Sequence, residues 1–443
     1  MALQLAAVKM EHTEIAEAVK ERTRKILSDG SFENIDIKLE SGSKKGDGYV
    51  GLMMRGLVSG EKDGSEHEID VIIKCAPRQE EIRKYMPTTL LFNREILYYS
   101  QIVPIYTELQ KKFKIPDSLK CEFARCFAAK NEYYDEIIIL ENLKARDYSM
   151  CATSLIDYEH FEISLKVLGH LHGLSYVLEE HNKSQFEQIC PQLGDTFFIS
   201  SLEYNCSGIL EFGKKAMNKY LSAIKNNDHV EMVRKAIGEN PGVVLKHFFE
   251  SGHKRCICHG DYWANNLLFK YKDNKPIKAI PLDFQNSRYM SLANDFFYLI
   301  ALSSDTKLRR NHFWKLLDVY HESLSEFLSF AGIDVNKYCT LEELKTEIRE
   351  QAIIGLTLDI LVLPVFTSDE VIELYEIFAG KYPKNFDIIN EDYRTRVNDM
   401  VTDYVHFGPW VIVGHDHAPS APLCYPVAYS EASEDLKPIA RPE

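Results

Sequence analysis

Along the chain, apolar residues recur first at helical spacing, then in short strand-like runs, then at helical spacing again. Over residues 9–28, Ile15, Val19, Ile26 and Leu27 fall on or near one stripe between charges, which predicts a helix ended by Asp29-Gly30. From Ile35 to Cys75 the apolar runs are short and separated by polar or glycine-rich turns, with Gly60-Glu-Lys-Asp-Gly64 a turn between two strands. Ile69–Cys75 is the clearest strand, and Lys74 stands in it. Residues 88–109 read as a helix holding Glu95 among Leu91, Phe92, Ile96 and Tyr99. Cys121–Ala128 and Glu136–Leu140 read as two more strands, joined by a polar turn at 130–135.

Past Leu143 the rhythm is mainly helical. Phe161, Leu165, Leu168, Leu171 and Leu174 form an amphipathic stripe, and residues 180–250 continue helical with a break at Asn240-Pro-Gly242. A compact strand-and-turn region occupies 256–284, and helices resume at 293–303, 312–331, 341–362, 369–379 and 387–406. The last stretch, 409–443, has six of the sixteen prolines and no periodicity, so it reads as an extended tail. The organisation is α+β: a sheet-rich unit over 1–143, a larger helical unit over 144–408, then the tail.

Composition narrows the picture. Forty-five per cent of the 443 residues are hydrophobic, ordinary for a chain with a real core. The net charge of −14 disfavours nucleic-acid binding, which needs a surplus of cations to neutralise phosphates. No run approaches the roughly 18 apolar residues of a membrane span, and the first residues lack the marks of a secretory signal. The ten cysteines form no C-x-x-C pair, so they read as reduced, small apolar residues in a cytoplasmic protein. No obligate protein partner is implied.

The chemistry concentrates in Cys258-His-Gly-Asp-Tyr-Trp-Ala-Asn-Asn-Leu-Leu-Phe269, which contains H-x-D-x-x-x-x-N as His259, Asp261 and Asn266. A strand-like Leu267–Tyr271, a turn at 272–276 and a second strand, Ile277–Leu282, lead to Asp283-Phe-Gln285. If that hairpin forms, Asn266 and Asp283 meet at its open end. An amide oxygen beside a carboxylate suits hard Mg²⁺, and Asp261 stands where it can take the proton of an attacking hydroxyl. This is the logic of phosphoryl transfer.

Upstream features agree with it. Lys74 near the end of a strand can touch nucleotide phosphates while Glu95, on a helix, holds its side chain. Ser41-Gly-Ser-Lys-Lys-Gly-Asp-Gly-Tyr-Val-Gly51 is a glycine-rich hairpin candidate, where Gly46 and Gly48 let backbone N–H groups approach phosphate. It matches neither established phosphate-loop pattern, and the order of features carries more than any one of them.

With these residues in view, the sequence resembles the small-molecule branch of the protein-kinase-like fold, which includes choline and aminoglycoside kinases. More narrowly, it resembles the ecdysteroid kinase-like (CHK-kinase-like) family. The residues that carry the likeness are His-Gly-Asp-Tyr-Trp-Ala-Asn-Asn (259–266), Leu-Asp-Phe-Gln (282–285), Ile-Ile-Leu-Glu-Asn-Leu (138–143), Lys74 and Phe92–Tyr99. The resemblance implies a bilobal fold, with a small antiparallel-sheet N-terminal lobe and a larger, mainly helical C-terminal lobe. It implies Lys74 on the phosphates of ATP with Glu95 as its ion-pair partner, and Glu141, Asn142 and Leu143 as the hinge beside the adenine. It implies Asp261 as base, Asn266 and Asp283 as Mg²⁺ ligands, His259 as a brace and Asp295 as a support of the catalytic loop. The acceptor it points to is a small-molecule alcohol, an ecdysteroid or similar lipophilic compound. Gln285 in place of glycine and the lack of an A-P-E segment speak against a protein substrate.

Other readings stay open at this stage: a choline- or ethanolamine-type kinase, a metal-dependent hydrolase built on H-x-D, and a nucleotide-binding protein without catalysis. The hydrolase leaves Lys74 and Glu95 without a task. His170 and His172 lie two apart on a helix, a poor metal geometry, so His172 reads as a packed core histidine. His415-Asp-His417 reads as part of a solvated tail. Cys256 and Cys258 read as buried on one face of a short strand, and Tyr262 and Trp263 read either as acceptor contacts or as packing.

Overall fold

A computed structural model describes residues 2–30, 32–41, 52–194, 207–250, 252–368 and 374–407. The glycine-rich stretch with Gly46 and Gly48, and the 409–443 tail with His415 and His417, lie outside the described residues.

Helix α1 (Ala2–Asp29) leads into strands β1 (Phe32–Ser41), β2 (Leu52–Lys62) and β3 (Ser65–Cys75). The β2–β3 turn is the two-residue pair Asp63-Gly64, both at positive φ, with Lys62 opposite Ser65. Aspartate and glycine tolerate that left-handed conformation, and it matches the twist of the flanking strands. Next come α2 (Glu80–Tyr85), α3 (Thr88–Leu97), α4 (Val103–Lys112), β4 (Cys126–Lys130) and β5 (Ile137–Glu141). The five strands form one antiparallel sheet in the order β1-β2-β3-β5-β4.

Alternation along the strands assigns the two faces of this sheet. Val71, Ile73 and Cys75 of β3, with Ile137 and Ile139 of β5, pack with Val19, Ile26 and Leu27 of α1. Lys74 and Ile138 therefore point to the opposite face, where α3 lies. The apolar stripe of α3, Leu91, Phe92 and Ile96, is buried in the larger core.

Two local features of this first part depart from the sequence reading. The predicted strand at 121–128 begins only at Cys126, because the Gln110 side chain takes both backbone groups of Cys121, at 2.8 and 3.2 Å. The predicted 88–109 helix is continuous in direction but contains a wider π-turn at Tyr98–Ile102.

The second part starts with a short strand, β6 (Tyr148–Met150), and the long helix α5 (Tyr158–His181). Helices α6 (Lys183–Ile189), α7 (Ser207–Ala223), α8 (Asn227–Ile237) and α9 (Pro241–Glu250) follow, the last starting at the predicted Pro241 break. Strands β7 (Arg255–Cys258), β8 (Leu267–Lys272), β9 (Lys275–Pro281) and β10 (Arg288–Ser291) interrupt them. Then come α10 (Ala293–Ser303), α11 (Thr306–Phe330), α12 (Leu341–Glu350), α13 (Ile353–Phe366), α14 (Leu374–Phe378) and α15 (Glu391–Phe407). The predicted 341–362 helix is thus two helices, broken at Gln351-Ala352. The architecture is a bilobal protein-kinase-like fold, a small antiparallel-sheet lobe before a mainly helical one. Among the described residues no helix is long and apolar enough to cross a membrane.

Candidate active site

The β8–β9 hairpin forms as the sequence predicts. Leu267 pairs with Pro281, and Asp273-Asn274 make its tight turn at positive φ. At the open end, the Leu282 N–H donates to the Asn266 carbonyl at 2.9 Å, so Asn266 and Asp283 leave the hairpin side by side. Asp283 itself adopts a left-handed backbone conformation, φ +63°. Its Oδ1 accepts a hydrogen bond from Lys74 Nζ at 2.8 Å.

Lys74 also donates to Glu95 Oε2 at 2.6 Å. One ammonium group therefore ties β3 to α3 and ties both to the end of the β8–β9 hairpin. Burial opposes its charge, but the carboxylates of Asp283 and Glu95 outweigh burial and hold Lys74 well above the usual lysine range.

The loop between β7 and β8 is fixed from several sides. Asp295 Oδ2 accepts the His259 N–H at 2.7 Å, and its Oδ1 accepts the Gly260 N–H at 2.8 Å. His172 Nε2 lies 3.1 Å from the same Asp295 Oδ2, while its Nδ1 reaches the Tyr320 hydroxyl at 2.8 Å. The Asp261 N–H donates to His259 Nδ1 at 3.3 Å, so the proton sits on Nε2, which donates to the Leu282 carbonyl at 2.8 Å. Burial lowers the His259 pKa and keeps the ring neutral. His259 thus bridges the loop to the residue just before Asp283, past the end of β9. Tyr262 donates to the Ser164 carbonyl at 2.7 Å, and the Ala264 N–H donates to Ser303 Oγ at 2.9 Å. Gly260, at φ +84°, is pressed so close to Asn286 that a Cβ there would lie 1.9 Å from the Asn286 carbonyl oxygen.

Within this frame, Asp261 faces Asn266. The amide Nδ2 donates to the Asp261 carbonyl at 2.9 Å and to its Oδ2 at 3.0 Å, which leaves the amide oxygen directed elsewhere. Burial, and then the neighbouring Asp283 carboxylate, push Asp261 up to about 7. Asp261, Asn266 and Asp283 keep partial exposure, whereas Lys74, Glu95, His259 and Asp295 are buried. The groups able to meet a ligand face open space, and those that hold them do not.

Phe284 ties the site to α3. Its ring stacks on Tyr98 with centroids 3.8 Å apart and lies 4.7 Å from the His259 ring. At the connection between the lobes, Asn142 N–H donates to the Asp70 carbonyl at 3.0 Å, and its side chain donates to Asp70 Oδ1 at 2.9 Å. Glu141 ends β5 and Leu143 begins a short 3-10 turn.

Tyr262 and Trp263 are buried, and Trp263 packs on Phe366 with ring centroids 4.6 Å apart, so both are packing residues. The sulfurs of Cys256 and Cys258 lie 3.6 Å apart, and with a His172 nitrogen they fall within 4.8 Å of one another. Both ring nitrogens of His172 are already bonded and burial pushes both thiols up, so this cluster is packing as well. Two residues escaped the sequence reading. Ser303 anchors the loop from the end of α10, with no pattern to mark it. Arg288 is a buried cation in β10, a strand the sequence reading does not predict, and no local pattern marks it.

No curated protein matches it in sequence. Among solved structures it is similar to an ethanolamine kinase of Plasmodium vivax, at 13% identity over 83% of this chain and 82% of that one, with a TM-score of 0.37. It is similar to the choline kinase LicA from Streptococcus pneumoniae, at 14% identity, 88% and 99% coverage and a TM-score of 0.35. It is also similar to a microcompartment-associated aminopropanol kinase, at 9% identity, 84% and 92% coverage and a TM-score of 0.39. At likenesses this weak, none bears on acceptor or mechanism. The family comparison is different in kind, because the ecdysteroid kinase-like model matches residues 45–333, well over half of the chain. That span takes in the strand of Lys74, the helix of Glu95 and the loops of Asp261, Asn266 and Asp283. The chain belongs to the ecdysteroid kinase-like family, small-molecule phosphotransferases that act on a hydroxyl group.

Proposed function

We propose that this protein transfers the γ-phosphate of ATP to a hydroxyl of a small lipophilic alcohol, an ecdysteroid or a compound like it. The observation that carries this reading is convergence. Lys74 joins Glu95 to Asp283, Asn266 joins Asp261, and the hairpin end joins the two sets, although these residues span 74 to 283 in sequence. A hydrolase built on His259 and Asp261 as metal ligands does not fit, since both His259 nitrogens are engaged within the fold.

In this reading Lys74, fixed by Glu95, neutralises charge on the phosphates, and Glu141, Asn142 and Leu143 flank the adenine. Asp261 orients the acceptor hydroxyl and takes its proton as the new O–P bond forms and the bond to ADP breaks. The residues at the hairpin end suit Mg²⁺. Asn266 has its amide nitrogen committed to Asp261 and its oxygen available, and Asp283 adds a carboxylate, so both donors are hard oxygens. Asn266 and Asp283 would hold the ion, which supplies charge neutralisation for the phosphates when bound. Membership of the ecdysteroid kinase-like family supports the lipophilic acceptor class.

The test is incubation of the full-length protein with Mg·ATP and a panel of alcohols containing ecdysteroids, sterols, choline and ethanolamine, read by mass spectrometry for an added phosphate. Phosphorylated ecdysteroid or sterol is the expected product. Phosphocholine or phosphoethanolamine instead would overturn the acceptor class, and no transfer to any alcohol would overturn the kinase assignment.

A further inference from the structure

Asp283 is held at both of its carboxylate oxygens. Lys74 Nζ donates to Oδ1 at 2.8 Å, and the amide Nε2 of Gln285, two residues on, donates to Oδ2 at 3.3 Å. Gln285 sits in the short 3-10 turn Phe284–Asn286 that follows Asp283, and it is buried. Among the described residues that hydrogen bond is the only one its side chain makes, and its Oε1 is buried with no donor to meet. Leaving a buried amide oxygen unsatisfied costs about 1–3 kcal/mol, which an apolar side chain of the same length would avoid. What the amide adds at this place is the bond to Asp283.

The two donors differ in kind. Lys74 is a cation with a second carboxylate, Glu95, at 2.6 Å, so a divalent ion would repel it from Oδ1 and leave it a partner to keep. Gln285 is neutral and has no second acceptor, so the same ion would not displace it from Oδ2. The Asp283 side chain keeps 30% exposure, enough for an oxygen to face a ligand. With the amide on Oδ2, Oδ1 is the oxygen that Asp283 offers. That difference bears on which ion fits. Mg²⁺ demands a tight, near-ideal octahedron, whereas Ca²⁺ has a larger and more flexible shell that accepts both oxygens of one carboxylate.

We propose that Gln285 is a positioning residue that keeps Asp283 a one-oxygen metal ligand and so makes the site select Mg²⁺ over Ca²⁺. This rests on the kinase reading above, in which Asn266 and Asp283 hold the ion. Gln285 touches neither metal nor nucleotide and acts through Asp283 alone, as a partner that fixes the orientation of a metal ligand. A side chain that only closed the turn after Asp283 would have no bearing on the choice of ion.

The test is calorimetry of ATP binding to the full-length protein in Mg²⁺, in Ca²⁺ and in EDTA, for wild type, Gln285→Met and Gln285→Glu. Wild type is expected to bind ATP about tenfold or more tightly in Mg²⁺ than in Ca²⁺. Both variants should bring that ratio down to about threefold or less, as for loss of a group that orients a metal ligand. A merely structural role for Gln285 would weaken binding with both ions together and leave the ratio as it is. Gln285→Glu keeps the size of the side chain while replacing the donor by an acceptor, and it decides the matter if the Met variant does not fold. A wild-type ratio in the variants would overturn the proposal, as would a wild type that binds ATP equally with either ion. Wild-type binding that is the same in EDTA as in Mg²⁺ would overturn the kinase reading itself.

Discussion

Gly260 shows how little freedom the residues around Asp261 have. With φ at +84° and the Asn286 carbonyl where a methyl group would go, Gly260→Ala must move either the Asp261 loop or the Asp283 loop. We expect a loss of roughly 3 kcal/mol or more in denaturant unfolding, with transfer activity abolished. Near wild-type stability would show that the two loops are not so tightly apposed. A second residue-scale test concerns the buried His172–Asp295 pair. Burial works against the imidazolium, but the Cys258 sulfur and the Asp295 carboxylate outweigh it and hold His172 at about 9, above the ordinary 6.5. A raised folded-state pKa contributes stability that is fully present below about 6.5 and lost as pH climbs through about 9. Unfolding at about pH 6 and about pH 10 should show the stability gap between wild type and His172→Gln shrinking by a few kcal/mol at the higher pH. A constant gap would mean that His172 is neutral throughout. At this scale the sequence was legible wherever spacing encodes chemistry, as in His259, Asp261 and Asn266. It was silent on Arg288 and Ser303, whose importance lies in which strand or helix end happens to face them.

Among the elements, the places of the turns could be read directly, because glycine, aspartate and asparagine tolerate positive φ locally, although the five-residue turns expected at 60–64 and 272–276 narrow to Asp63-Gly64 and Asp273-Asn274. That is why the hairpin ending at Asn266 and Asp283 was predictable. The strand at 121–128 was misplaced at its start because a side chain eleven residues upstream, Gln110, takes the backbone partners a strand would use, and no local pattern reveals that. The stack of Phe284 on Tyr98 was equally hidden, since the two meet only through the fold. It joins the helix of Glu95 to the loop of His259, so Phe284→Ala should cost about 3–5 kcal/mol and loosen the Lys74–Glu95 pair. We expect weakened ATP binding alongside the lower stability. Unchanged nucleotide affinity would mean that α3 is held by its other contacts.

For the molecule as a whole, the division into a sheet-rich part and a helical part followed from the change of rhythm near Leu143. What rhythm could not supply was the meeting of the two parts. Lys74 comes from β3, Asp283 from beyond β9, and their 2.8 Å contact belongs to the tertiary structure alone. A metal held by Asp283 would compete with Lys74 for the same carboxylate. The most direct test of the central claim is therefore calorimetry of ATP binding to the full-length protein, with Mg²⁺ and with EDTA, for wild type and Asp283→Asn. We expect wild type to bind at least tenfold more tightly with Mg²⁺ present, and the variant to lose that difference, as expected for loss of a metal-ligating carboxylate. Binding by wild type that is indifferent to Mg²⁺, or an Asp283→Asn protein that keeps the full Mg²⁺ effect, would contradict the account.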